Sequence, residues 1–83
     1  MPILILTTTG RRSGKPLMLP LIFGHFDGKY VIIASKGGAP EHPAWFLNLE
    51  ANPLADIQVK ALKLRVRARV AAGEIPVVVL EAA

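Results

Sequence analysis

The sequence contains no cysteine. Disulfides, thiolate metal sites and cysteine nucleophiles are therefore excluded. Its two histidines, His25 and His42, stand far apart with no Asp, Glu or Cys at ligand spacing, so the pattern predicts no metal site. Acidic residues are scarce, six against ten Lys and Arg, and Glu50, Asp56, Glu74 and Glu81 share no face that periodicity would define. Acid–base hydrolysis by paired carboxylates thus has no candidates. No nucleophile-elbow motif surrounds a serine. Apolar runs are short: Val77 to Leu80 is far below the ~20 residues that span a bilayer. Pro2-Ile3-Leu4-Ile5-Leu6 lacks a basic leader, so no secretory signal is read there and a cytoplasmic location is the expectation.

What the sequence does contain is apolar residues and positive charge. With 83 residues it is read as a single domain, 1–83. Hydrophobic residues make up 52% and charged residues only 19%, which is more apolar surface than so small a monomer can bury. A partner covering part of it, most simply a second copy in a homodimer, is expected. The net charge of +4 is carried by two groups, Arg11, Arg12 and Lys15, then Lys60, Lys63, Arg65, Arg67 and Arg69. That excess favours anionic ligands such as phosphate esters or carboxylate tails.

Ile3 to Thr8 reads as a strand ended by Thr9-Gly10, and Leu17 to Phe23 as a second, with Pro20 marking an edge, a bulge or an end. Asp27-Gly28 is a hairpin turn returning into Tyr30 to Ala34. A short helix is predicted over Pro43 to Ala51, with Trp45, Phe46, Leu47 and Leu49 as its apolar set and Asn52-Pro53 as its stop. Ala55 to Val59 and Leu62 to Val70 alternate apolar and polar residues, turning near Lys60-Ala61, and a last strand runs from Ile75 to Leu80. About six strands joined mostly by hairpins, with one short helix, predict a mainly β, small antiparallel barrel.

Two loops carry the chemistry. Ser35-Lys36-Gly37-Gly38-Ala39-Pro40-Glu41-His42-Pro43 follows a strand and precedes the helix. Its glycines permit close backbone approach, Lys36 adds charge, and the helix start turns unpaired N–H groups toward the same bend. This composition suits a cofactor cradle, but Gly-Gly with two prolines is also the ordinary chemistry of a strand-to-helix turn. Thr7-Thr8-Thr9-Gly10-Arg11-Arg12-Ser13-Gly14-Lys15-Pro16 gathers hydroxyls, cations and glycines as anchoring a phosphate or carboxylate tail requires. It is no Walker loop, and a solvated basic loop has the same composition.

Taken together, Leu6-Thr7-Thr8-Thr9-Gly10-Arg11-Arg12-Ser13-Gly14-Lys15-Pro16, then Ala34-Ser35-Lys36-Gly37-Gly38-Ala39-Pro40-Glu41-His42-Pro43-Ala44-Trp45, then Asn48-Leu49 and Asn52-Pro53, resemble the deazaflavin-dependent nitroreductase family. These are split β-barrel oxidoreductases that use the deazaflavin coenzyme F420. The resemblance implies that Arg11, Arg12, Ser13 and Lys15 lie near the coenzyme's phosphate and glutamyl tail, with Lys36 reaching the same region. It implies that Met18, Leu19 and Pro20 pass beside the ring, that Ala34, Ser35 and Gly37 line the ring and ribityl chain, and that Ala44, Trp45 and Asn48 close the pocket. Hydride transfer from the reduced coenzyme to an electron-poor small molecule, a quinone, an enone or a nitroaromatic, is the activity so implied. Ser35 is the one nearby hydroxyl, hence the candidate catalytic donor.

The sequence departs from the family pattern at Leu17, where an arginine is usual, and between the Leu64 to Val70 strand and the last one, where only Ala71-Ala72-Gly73 replaces a helical, aromatic-rich segment. It also lacks the N-terminal helix common in the family, so a coenzyme-binding barrel without efficient turnover is the alternative. A rival of another class rests on Lys63, Arg65, Arg67 and Arg69, whose alternation lays a cationic stripe of ~20 Å along one strand. Such a stripe could track a nucleic-acid backbone, but Phe23, Phe26 and Tyr30, the strand aromatics available for stacking, lie away from it, and a solvated strand face is the expectation.

Overall fold

The computed structural model describes residues 2–33, 43–71 and 77–83. Seven strands form one antiparallel sheet: β1 (Ile3–Thr9), β2 (Pro16–Ile22), β3 (Gly24–Phe26), β4 (Lys29–Ile33), β5 (Leu54–Val59), β6 (Leu62–Ala71) and β7 (Val77–Ala82). One helix, α1 (Ala44–Ala51), lies between β4 and β5 in the chain. The spatial order is β2-β1-β5-β6-β7-β4-β3. The two edge strands, β2 and β3, are thus successive stretches of chain at opposite ends of one sheet, so the sheet curls into a half-barrel.

That arrangement corrects the expected six strands to seven. The predicted Leu17 to Phe23 strand does not run into the Asp27-Gly28 hairpin as one piece. Pro20 and Ile22 pair with Ile5 and Ile3 of β1, whereas Gly24 and His25 pair with Val31 and Tyr30 of β4. The change of partner falls at Phe23, whose N–H donates to the Pro2 carbonyl at 3.2 Å. A proline and a glycine on either side of that point make the break tolerable, since neither favours an uninterrupted ladder.

The hairpin turns follow local chemistry. Asp27 and Gly28 both take positive φ, 53° and 75°, the pair of left-handed residues a two-residue turn of the twisted hairpin type requires. Lys60 also takes φ 55° between β5 and β6, with Gln58 Nε2 donating to its carbonyl at 3.0 Å.

Alternation sorts the strands into two faces. Leu4, Leu6 and Thr8 of β1 turn inward opposite Leu21, Leu19 and Leu17 of β2. Ile57, Val66, Leu80, Val78 and Ile32 continue that buried face across β5, β6, β7 and β4. α1 rests against β1 and adds Trp45, Phe46 and Leu49 to the same core. The outer face carries Lys63, Arg65, Arg67 and Arg69 of β6, all exposed, together with Ile3, Met18, Ile22 and Ile33. The last strand ends at Ala82, two residues beyond the predicted Leu80. Its predicted start, Ile75 and Pro76, lies outside the described residues.

Candidate functional site

The β1–β2 connection is a compact loop closed by its own backbone. The Gly10 N–H donates to the Lys15 carbonyl at 2.8 Å, and the Gly14 N–H to the Gly10 carbonyl at 2.8 Å. Ser13 Oγ accepts from the Lys15 N–H at 3.2 Å. Two glycines are needed for this. Gly14 sits at φ 71°, and a Cβ on Gly10 would stand 2.6 Å from Ser13 Oγ and 3.2 Å from the Lys15 carbonyl oxygen. Folded this way, the loop leaves Arg11, Arg12, Ser13 and Lys15 exposed. Among the described residues none of its three cations is in an ion pair.

α1 anchors that loop. Its buried positions are Trp45, Phe46, Asn48 and Leu49, so the polar Asn48 occupies the inward face where Leu47 had been expected and Leu47 is only half-buried. Asn48 is 1% exposed. Its Oδ1 accepts from Arg11 Nη1 at 2.9 Å and from the Arg11 N–H at 3.2 Å, while its Nδ2 donates to Thr8 Oγ1 at 3.2 Å. Thr8 is itself 1% exposed. Burying an unpaired amide costs about 1–3 kcal/mol, and these contacts remove that penalty. No buried side-chain nitrogen or oxygen among the described residues is left without a partner.

Beside the pinned loop, β1, β2 and α1 enclose a cleft of about 330 Å³ lined by Thr8, Leu17, Met18, Leu19, Pro43, Ala44, Trp45 and Asn48. That volume is at the lower end of the range of small-molecule sites. Trp45 forms one wall, buried to 7% exposure and edge-on to Phe46, with ring centroids 6.3 Å apart.

The cleft brings together Met18, Leu19, Ala44, Trp45 and Asn48 of the sequence-derived set, with Arg11 tied to Asn48 at its side. Pro20 lies apart: it faces outward and lines a depression with Leu21, Ile22, Phe23, Gly24, Val31 and Ile33. Ala34, Ser35, Lys36 and Gly37, and with them the cradle and the candidate donor, lie outside the described residues. Three lining residues, Thr8, Leu17 and Pro43, carry no ring-pocket role in the sequence reading. Thr8 and Leu17 are a cross-strand pair at the end of the inward rows Leu4-Leu6-Thr8 and Leu21-Leu19-Leu17, so strand alternation carried the signal.

A curled antiparallel sheet with one helix laid on its inner face, and an apolar cleft beside the exposed cations of the β1–β2 loop, define a small half-barrel domain. Within that class the chain belongs to the F420H(2)-dependent quinone reductase family, whose model matches residues 1–77. The deazaflavin family suggested by the two loops is therefore the correct one, and the family's cofactor is coenzyme F420. The chain is 40% identical over 68 residues to an F420H(2)-dependent quinone reductase of Mycobacterium tuberculosis, a match covering 82% of this chain and 46% of that protein. It thus spans about half the length of this curated relative. Among solved structures, an F420-H2-dependent reductase (FDR-A) superposes with a TM-score of 0.84 at 34% identity, over 96% of this chain and 94% of the other. A second structure, described as a domain-swapped dimer, matches with the same TM-score of 0.84 and 34% identity, over 96% of this chain and 80% of its own.

Proposed function

We propose that this chain holds coenzyme F420 in the cleft between β2 and α1 and serves hydride transfer from its reduced form to a quinone. The observation that carries the reading is the junction of the apolar cleft with the Arg11 loop through Asn48, which joins a site for a flat ring to a site for an anionic tail. Leu17, Leu19 and Trp45 supply apolar surface for the ring, and Met18, whose side chain turns to the outer face, borders it. Arg11, Arg12 and Lys15 are the partners for the phosphate and glutamyl carboxylates, with Ser13 as a neutral donor and Lys36 as a further cation. The coenzyme, when bound, supplies the hydride chemistry, and the protein contributes orientation and a dry surface. Ser35 is the hydroxyl assigned to hydrogen-bond the reacting partners. Nitroaromatics and enones, being similarly electron-poor, belong to the same acceptor range.

A homodimer, supported by the domain-swapped dimer among its structural neighbours, and a cytoplasmic location complete the reading. Among the described residues no helix is long and apolar enough to cross a membrane. The nucleic-acid alternative loses support from the ion pairs on the cationic stripe, Arg65 with Asp56 and Arg69 with Glu81.

Titration with oxidised coenzyme F420, followed by fluorescence polarisation, tests the binding. Saturation at micromolar coenzyme is expected, and none at tens of micromolar would refute it. Mixing with reduced coenzyme and menadione then tests turnover. Binding without oxidation would leave a coenzyme-binding barrel in place of a reductase.

A further inference from the structure

Asn48 is an unusual choice at an interior position of an eight-residue helix. Asparagine is a poor helix former there, and an inward amide needs every one of its bonds met. A leucine at the same place would serve the core better, so the local rule is broken for a reason found elsewhere in the fold. The reason lies in its partners. Asn48 Oδ1 takes two N–H groups of one residue, the backbone and the guanidinium of Arg11, and its Nδ2 is held by Thr8 Oγ1 from the strand beneath.

Resting on the coenzyme reading above, we propose that Asn48 is a positioning residue: with Thr8 it fixes the Arg11 guanidinium at the mouth of the cleft for the anionic tail. The partner chosen is neutral, and that matters. A carboxylate at this position would hold Arg11 equally well but would cancel its charge, whereas an amide oxygen uses one Nη1 hydrogen and leaves the guanidinium's remaining donors and full charge for an anion. An exposed arginine gives up side-chain freedom when it is ordered. Here Thr8 and Asn48 impose that order before ligand arrives, so tail binding does not bear that cost again. Thr8 and Asn48 also line the ring cleft, so the same two side chains set the offset between ring site and tail site.

The test uses two probes, intact coenzyme F420 and the deazaflavin with its ribityl chain but no phosphate or glutamyl tail, and a double-mutant cycle between positions 48 and 11. Asn48→Leu is expected to weaken F420 binding roughly tenfold, the scale of a lost hydrogen bond to a charged group, while the tail-less probe changes less than about twofold. In an Arg11→Ala background, Asn48→Leu is expected to cost no more than the small loss seen with the tail-less probe, because its effect on the tail runs through Arg11. Additive losses in the cycle, equal losses for both probes, or no loss at all would each overturn the assignment. Asn48→Asp sharpens the point: it keeps an acceptor for Arg11 yet is expected to weaken F420 by neutralising the guanidinium, and wild-type affinity would contradict the role of the neutral amide. Should Asn48→Leu fail to fold, Thr8→Val with Arg11→Ala forms the same cycle, judged by the same outcomes. Wild-type protein that binds neither probe would refute the coenzyme reading itself, whereas wild-type binding with an additive cycle refutes only Asn48.

Discussion

Two groups of cations sit on this small domain, three in the β1–β2 loop and four on β6, and they are held in different ways. On β6 two of the four basic residues meet carboxylates: Arg65 Nε lies 3.4 Å from Asp56 Oδ1, and Arg69 Nη2 lies 3.2 Å from Glu81 Oε1, which also takes Lys29 at 3.7 Å. Arg67 lies directly across from Glu81 in the β6–β7 register. In the β1–β2 loop, Arg11 is held by an amide and keeps its charge. Counting charges along the sequence would rank the β6 stripe first. How each charge is held reverses that order, because a cation already facing a carboxylate offers an incoming anion little, whereas an ordered and uncompensated one offers most of its attraction.

The contrast can be attacked at several strengths. The largest effect is expected where α1 is uncoupled from the sheet: Phe46→Ala removes a ring that is 2% exposed and should cost about 3–5 kcal/mol in urea unfolding, taking the loop anchor with it. A loss near the surface scale of half a kcal/mol would mean that the helix is not what steadies the loop. Next comes Gly10→Ala, whose Cβ meets Ser13 Oγ at 2.6 Å and the Lys15 carbonyl oxygen at 3.2 Å. It is expected to cost about 1–3 kcal/mol in stability and to weaken coenzyme binding more than any change on β6. Smaller still is Asp56→Asn, which frees Arg65 in a pair more than half exposed on both sides. Its effect on unfolding should stay within about 1 kcal/mol, and its effect on coenzyme affinity should be nil. Smallest is Phe26→Ser, at a ring 76% exposed on the short β3, which should shift stability by no more than about 0.5 kcal/mol.

Much of this was legible in the sequence because it is local. The Asp27-Gly28 turn, the alternation of Leu62 to Val70, and the helix stop at Asn52-Pro53 depend on neighbours a few residues away, and each lies where its pattern places it. The break at Phe23 was not legible. It arises because β1 and β4, far apart in the chain, both claim the stretch from Pro16 to Phe26, and only the closure of the sheet decides where one gives way to the other. The site divides in the same manner. Met18, Leu19, Ala44 and Trp45 followed from a family resemblance and do line one cleft. The link from Arg11 to Asn48 spans 37 residues, and no periodicity announces it. Only the inward turn of a polar residue on an apolar helix hints at it, and the apolar set read from the sequence passed over that position in favour of Leu47.

The most direct measurement compares two substitutions of equal charge, Arg11→Ala and the carboxylate-paired Arg69→Ala, by their dissociation constants for coenzyme F420 at the same ionic strength. Arg11→Ala is expected to weaken binding roughly tenfold or more, the loss of a charge-assisted contact of about 1.5–3 kcal/mol, while Arg69→Ala stays within about twofold. Equal losses at the two positions would mean that the coenzyme responds only to net charge, and would contradict the assignment of the cleft and its loop as the coenzyme site.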